Sequence, residues 1–498
     1  GGTGGGGGSG GMGGMGGAPP TCTTPEPGGT VLWSKHIAGD GVPGTAHQRI
    51  TRLIGDPEGI VVMGQYTEAL STNGFSAPSV DGSGNAFLVW VEPGGSFVQD
   101  GGAAKNVLFF GPPAMGAPPE PRAVALGASP YGLAVVGRFE GSLMASGTTV
   151  NAPSAEPAAF TVDWDDTAAT PGLWADATSV AARFDDVVVA ADGARIVSGY
   201  TQNGMTVGGA IFPLGHFIAR IEQGGAVAVQ SVLLGTGTAA SERIHLAPGP
   251  NDAIYLAAAL RQGTHLFGSD TLQVDAISGV LVGRIDPNLN FTGANVFQGP
   301  DTTGHQVFVW DLTAGPNGRA AVSGSFFGQM SLEPNTAKII STAAGGQNDG
   351  FVVVIDPSLE ATQWFGLGST TTNEVIASVS IDPCGDVAVM GTLRGEAMFG
   401  GAPVSPESAA AAYVAKFDAS MVGALSPAWI ALLDHAQHTA CSTSTAVAPF
   451  WDQPCFHVLA SADGVYAAGG FSGQIDLPGG PTLAASQGED AYLLKLAP

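Results

Sequence analysis

The sequence predicts an all-β fold, a seven-bladed β-propeller with four antiparallel strands per blade and a last blade closed by both chain ends. Three observations predict it. Gly (76) and Pro (34) fill more than a fifth of the 498 positions, too many turn formers and helix breakers for a mainly helical chain. A set of four strand-length runs recurs seven times. The chain also begins on the fourth run of the set and ends on the third.

The clearest register comes from runs that carry a Gly followed, in most copies, by an aromatic residue or Leu. They are IVVMGQY (60–66), LAVVGRF (133–139), RIVSGYT (195–201), IYLAAAL (254–260), AAVSGSF (320–326), VAVMGTL (387–393) and VYAAGGF (465–471), here called copies one to seven. Each follows a turn such as PEG, ADG, PNG or PCG, and before that an alternating apolar run such as RITRLIG, SVSIDP or HVLASA. Two strands joined by a tight Gly-bearing turn make a hairpin. Copy four departs from the rest, with Ala258 in place of the Gly, which predicts a locally altered hairpin rather than a different fold.

A third run follows in every copy: AFLVWVEP, AAFTVDW, HFIARIEQ, VLVGRIDP, FVVVIDP, AYVAKFD and AYLLKLAP. A fourth run, rich in Trp or Phe, comes between copies as NVLFFG, GLWAD, VQSVLLG, GANVFQG, TQWFGLG and PAWIALL, and its seventh instance is VLWSKHIAG at 31–39, ahead of copy one. Register spacings of 59 to 78 residues with four strands each are the mark of a propeller. Pairing of residues 31–39 with 490–497 would complete the last blade from both termini and remove an open edge. A pair of stacked β-sandwiches would leave this phase unexplained. Trp33, Trp174, Trp364 and Trp429 fall on fourth strands and are expected to pack blade against blade.

The connection between second and third runs has its own pattern, seen in FSGQIDLPGGPTLAASQGEDAYLLKL (471–496) and LRGEAMFGGAPVSPESAAAAYVAKFD (393–418). On these residues and the repeats above, the chain from 31 to 498 resembles the bacterial seven-bladed propeller repeats (SBBP-type) of secreted and surface proteins. The resemblance implies an architecture and no common reaction.

Residues 1–30 read as a separate segment. Half of them are Gly and only Glu26 is charged, so they cannot bury enough apolar surface to offset ordering entropy and are expected to form a flexible tether to the domain at 31–498. Such tethers resemble those that follow the lipidated cysteine of bacterial surface lipoproteins; the alternative is a secreted protein with a low-complexity leader. The expected location is extracytoplasmic, with a lipid anchor upstream of the tether as one option. A monomer is expected.

Four Cys in an exported chain favour disulfides. Cys441 and Cys455 flank the longest insertion, and a bond there would close a 15-residue loop, worth about 3 kcal/mol in the loop-entropy model. Cys22 and Cys384 both fall on the side of the first-to-second-strand turns and form the second expected pair. His435, His438 and His457 beside Cys441 and Cys455 offer a competing metal reading, although their spacing matches no closed zinc motif.

Charge excludes some partners. With 42 acidic against 17 basic residues the net charge is −25, which repels nucleic acid and anionic lipid, and no run is long enough to span a bilayer. No nucleophile elbow, zincin, Walker or EF-hand motif appears. The seven fourth-to-first connections each carry an acid in or beside them: Asp40, Glu120, Asp176, Glu242, Asp301, Glu374 and Asp434, joined by His47, Gln48, His305, Gln306 and Asn373. No cofactor is required, but such a ring suits Ca²⁺ or a cationic ligand. The expected function is a non-enzymatic binding or scaffold module that meets a protein or glycan at the cell surface on this face. The alternative is a hydrolase or lyase with carboxylate or His groups at the channel mouth.

Overall fold

The computed structural model describes residues 28–498 except for 40–45, 79–84, 111–121, 153–157, 165–171, 176–181, 223–226, 232–242, 299–305, 333–338, 342–347, 369–371, 419–422, 438–455 and some gaps of one or two residues. The chain is an all-β propeller. In every copy the first, second and third strands form successive antiparallel ladders, and a fourth strand completes the set. Copy one runs Ala46–Asp56, Gly59–Tyr66, Asn85–Val91 and Asn106–Phe110. Copy five runs Val307–Ala314, Ala320–Phe326, Asp349–Ile355 and Ala361–Leu367.

The strand Val31–Gly39 pairs antiparallel with the last strand, Thr482–Leu496, from Val31 opposite Leu496 to Ile37 opposite Ala491. This is the pairing that the phase of the chain ends predicts. Of the expected tether only Gly28–Thr30 lie among the described residues, and they already run along the chain end: Gly29 N donates to Ala497 O at 3.1 Å and Ala497 N to Thr30 O at 2.8 Å.

Seven separate sheets are not what the hydrogen bonds show. They join the strands into five larger sheets, of 16, 4, 4, 6 and 5 strands. Two kinds of contact between copies are responsible: Ala46 and His47 of copy one pair in parallel with Gly488 and Glu489 of the last strand, and in copies one, two, five and seven the connection between second and third strands forms a small hairpin that pairs with the fourth strand of the preceding copy. Leu70 and Ser71 of copy one's hairpin pair with Gly39 and Ala38. Met144 and Ala145 of copy two's hairpin pair with Phe110 and Phe109. Ser331 of copy five's hairpin pairs with Gln298, and Asp476, Gly473 and Ser472 of copy seven's with Asp434, Ala436 and Gln437. Each hairpin caps an edge strand that would otherwise offer unpaired N–H and C=O groups.

The repeated Gly has a steric cause. A bulge in the first strand brings its carbonyl over the Gly, and the aromatic ring of the third strand lies on the same spot. A Cβ on Gly324 would meet Phe308 O and the Phe351 ring, one on Gly199 Arg183 O and the Phe217 ring, and one on Gly391 Val375 O and Tyr413. The bulges fall between Val309 and Asp311, Phe184 and Asp186, and Ile376 and Ser378. Copy four differs in the facing residue: Leu281 rather than an aromatic residue lies opposite Ala258, which leaves room for a Cβ. Gly324→Ala is therefore expected to cost about 1–3 kcal/mol or more by overpacking, whereas Ala258→Gly costs about 1 kcal/mol or less. Urea midpoints of the two variants check this.

Cys384 sits in the turn Asp382–Asp386, where the Asp382 carboxylate accepts from Cys384 N and Asp386 N, and it is disulfide-bonded. Cys22, Cys441 and Cys455 lie outside the described residues, so the two expected pairings do as well. Of the five residues of the metal reading, only His457 has a described side chain. His457 is no loop residue but the second residue of the buried strand Phe456–Ser461. His438 lies outside the described residues, and so does the side chain of His435.

Candidate functional site

The first strands of the copies line the central channel, and its interior is not purely apolar. Opposite the residue that precedes the repeated Gly, one register of these strands places Arg52, Ala125, Asp186, His245, Asp311, Ser378 and His457. The six other than Ala125 form a polar girdle across the channel. The Arg52 guanidinium reaches Asp311 at 3.0 Å, linking copy one to copy five.

Asp311 accepts from four donors: Arg52 Nη1 and Leu312 N on one oxygen, Ser378 Oγ and Val379 N on the other. Asp186 accepts from Val187 N and from Leu246 N of the next copy. Ser378 Oγ in turn accepts from Val458 N at 3.2 Å. The rule is the same at each step: an acceptor on one first strand holds the backbone N–H of the following one. A carboxylate saturated in this way is a strong tie between copies.

Electrostatics follow from burial and these partners. Burial pushes the Asp186 carboxyl up to about 6, against Arg52 and the two N–H donors. Burial alone would also raise Asp311, yet Arg52, His457, Ser378 and His245 together hold it below the ordinary carboxylate range. Burial lowers His245 to about 4, so it is neutral at physiological pH. The Arg52 cation is kept by Asp311 and Asp186 in spite of its own desolvation.

On the side of the first-to-second-strand turns, the channel holds a cavity of about 260 Å³. Its floor includes Arg52, Asp311, Ser378 and His457, and its walls are aliphatic, with Leu53, Leu126, Val187, Leu246, Leu312, Val379 and Leu459. That volume is at the lower limit for a small-molecule pocket. The cavity lies on the side of the ring opposite to the face expected to carry function.

On that expected face, Asp40, Glu120, Asp176, Glu242, Asp301 and His305 lie outside the described residues, as does the side chain of His47. The three described members of the predicted ligand set are engaged locally and do not converge. Gln48, fully buried, donates through its amide to the Asp490 carboxylate at 3.1 Å, which also takes His36 Nε2 at 2.7 Å. Glu374 is fully buried and accepts from Thr372 Oγ1 at 2.5 Å. Asp434 accepts from Glu407 N, Ser408 N and Ser408 Oγ, holding the chain just before copy six's third strand. Among the described residues no group of three or more His, Cys, Asp or Glu is placed to hold a metal ion.

The girdle is what reading the sequence for loops misses. The signal was present in the runs RITRLIG, RFDDVVV and FVWDLTA, where a charge interrupts an apolar strand at a fixed distance from the Gly. In a chain with only 12% charged residues, charges recurring inside buried strands point to a polar layer.

No family model matches the chain, and no curated protein does. Solved structures with overall similarity were found, and those compared are at 10% identity or less. They include YCF48 bound to D1 peptide (10% identity, 96% of this chain and 99% of that one, TM-score 0.35) and a PL25 ulvan lyase, a polysaccharide lyase, bound to -[GlcA(1-4)Rha3S]- (7%, 93% and 96%, 0.40). A leech intramolecular trans-sialidase is similar at 7% identity over 94% of each chain, with a TM-score of 0.28. The fold assignment rests on this chain's own strand pairing, and on that ground the protein is an all-β propeller.

Proposed function

We propose that the protein is a non-enzymatic binding module of the extracytoplasmic space, built as a seven-bladed ring of the SBBP type and presenting its fourth-to-first connections to a protein or glycan. The observation that carries the reading is the state of the girdle. Its acids, the natural candidates for proton transfer in the channel, are consumed in holding neighbouring strands: Asp311 by four donors and Asp186 by two backbone N–H groups. An acid–base catalyst needs a group within reach of a substrate proton. A rigid ring with varied connections on one rim needs none.

Seven blades are supported by the cavity wall, which draws residues from the first strand of every copy. A lipid anchor upstream of the tether, a monomeric state and the pairs Cys441–Cys455 and Cys22–Cys384 belong to the same proposal, and peptide mapping without reduction tests the pairs. Calcium among the acidic connections is tested by melting with and without the ion: a calcium-dependent rise in Tm that Asp40→Asn with Asp301→Asn abolishes supports it, and equal melting removes it. The function itself is tested by screening the intact chain on glycan and peptide arrays while assaying product formation. Saturable binding without turnover is the expected result, and turnover of a bound glycan would overturn the non-enzymatic reading.

A further inference from the structure

Between the girdle and the first-to-second-strand turns, the channel cavity of about 260 Å³ has a lining of two kinds. The residue that follows the girdle position is aliphatic in every copy, from Leu53 and Leu126 to Val379 and Val458, and Ile54, Val188 and Leu459 continue the apolar wall. Water finds few partners along it, and a water held inside a protein needs several. Gly55 and Pro248 are exposed and mark the mouth, and a Cβ on Gly55 would meet nothing within 4 Å.

The polar residues of the lining offer donors rather than acceptors. Asp311 is filled by its four donors, one of them Ser378 Oγ, and His457 stabilises its charge. The Arg52 guanidinium spends one N–H on Asp311; its side chain remains 18% exposed and has no second hydrogen-bond acceptor among the described residues. Ser380 Oγ accepts from Ala460 N at 3.0 Å, which leaves its own O–H to donate, and half-buried Thr313 adds a second hydroxyl.

We propose that this cavity is a binding site for a compact neutral carbonyl compound, an aliphatic ketone, ester or lactone, whose oxygen accepts from Arg52 and whose carbon body lies against the aliphatic wall. The site is on the other side of the ring from the fourth-to-first connections and does not depend on what they bind. Burying the carbon body releases poorly held water, and a hydrogen bond from a charged donor is stronger than one between neutral groups. The lining disfavours the alternatives. Arg52 already interacts with Asp311 and Asp186, so a carboxylate would bring a third acidic group to one guanidinium. A sugar would bury several hydroxyls against Leu and Val side chains without partners. A hydrocarbon would desolvate the Arg52 N–H groups and give them nothing in return.

The test titrates the intact chain by calorimetry with camphor, a cage-shaped ketone, with camphene, a hydrocarbon of similar shape, and with camphorsulfonate, which adds an anion to the same body. Camphor is expected to bind saturably and about tenfold more tightly than either of the others, the difference that one charge-assisted hydrogen bond makes. Gly55→Phe places a ring in the open space at the mouth and is expected to weaken camphor about tenfold or more while melting, without ligand, as the wild type does. If that variant melts early, Gly55→Leu takes its place and is expected to show a loss in the same direction. Absence of saturable camphor binding, camphene or camphorsulfonate binding as tightly, or undiminished affinity in the Gly55 variants would overturn the assignment. A failure of this kind leaves the reading of the opposite face standing, because saturable binding on glycan and peptide arrays tests that face separately.

Discussion

Replacing Arg52 by Met is expected to cost about 3–5 kcal/mol at pH 7, the usual consequence of leaving a buried charge without its partner. Arg52 is the cation between Asp311, which it touches at 3.0 Å, and Asp186, whose charge it stabilises. The penalty should depend on pH, and its sign follows from linkage. Asp186 in the folded chain has its carboxyl pushed up to about 6 from 3.8, so between those values the folded protein holds a proton that the unfolded chain has lost, and stability falls as pH rises. Two units correspond to about 3 kcal/mol by neutral pH. Without Arg52 the carboxyl is raised further and the loss grows.

Asp311 behaves oppositely. Its folded value is depressed, so its stabilising effect is present above the unfolded value and is lost as pH falls through the folded one. In Arg52→Met that contribution is largely gone at pH 7. Both acids therefore make the variant's deficit largest at neutral pH and at most half as large at pH 4, where Asp186 is protonated. Urea midpoints of wild type and variant at the two pH values measure it. A deficit of equal size at both would mean that Arg52 acts through packing of its stem rather than through its charge.

The repeat, the strand order within each copy and the meeting of the chain ends were legible in the sequence, because each rests on local periodicity or on a count. In copies one, two, three, five and six the Gly of the repeat marks a bulge in the first strand, and the aromatic residue of the third run fills the space that Gly leaves, as Phe87 does at Gly64. What was not legible is whatever needs two copies side by side. The hairpin Leu70–Ala77 reads as a connection until it is seen capping Ala38 and Gly39, and the parallel pairing of Ala46 and His47 with Gly488 and Glu489, which merges the sheets of copies one and seven, is likewise a contact between distant parts of the chain. Glu374 and Asp434 read as surface acids because they sit in connections, yet both are buried, Glu374 accepting from the Thr372 hydroxyl and Asp434 from the Glu407 and Ser408 backbone N–H groups. Conversely, Arg52 and Asp311 are 259 residues apart, and no periodicity pairs them until the ring closes.

The second large effect concerns that closure. A chain lacking residues 1–39 is expected to lose stability on the order of the whole folding free energy, about 5–15 kcal/mol, while one lacking only residues 1–21, which keeps Cys22 for its proposed bond to Cys384, should melt as the full chain does. The strand Val31–Gly39 acts on three partners at once. It completes the last sheet along Thr482–Leu496, with Ile37 1% exposed in the core. Trp33 packs edge-on to Tyr466 at 5.9 Å and donates to Pro93 O at 2.9 Å, tying copy seven to copy one. Its end anchors copy one's hairpin through Ala38 and Gly39. Removing it would leave Thr482–Leu496 as an unpaired, apolar edge, prone to pair with another chain. Adding a synthetic peptide of residues 28–39 should restore a cooperative melt by occupying that edge as an added strand. A protein without residues 1–39 that melts like the one without residues 1–21, with or without peptide, would show that the ring holds together without this strand.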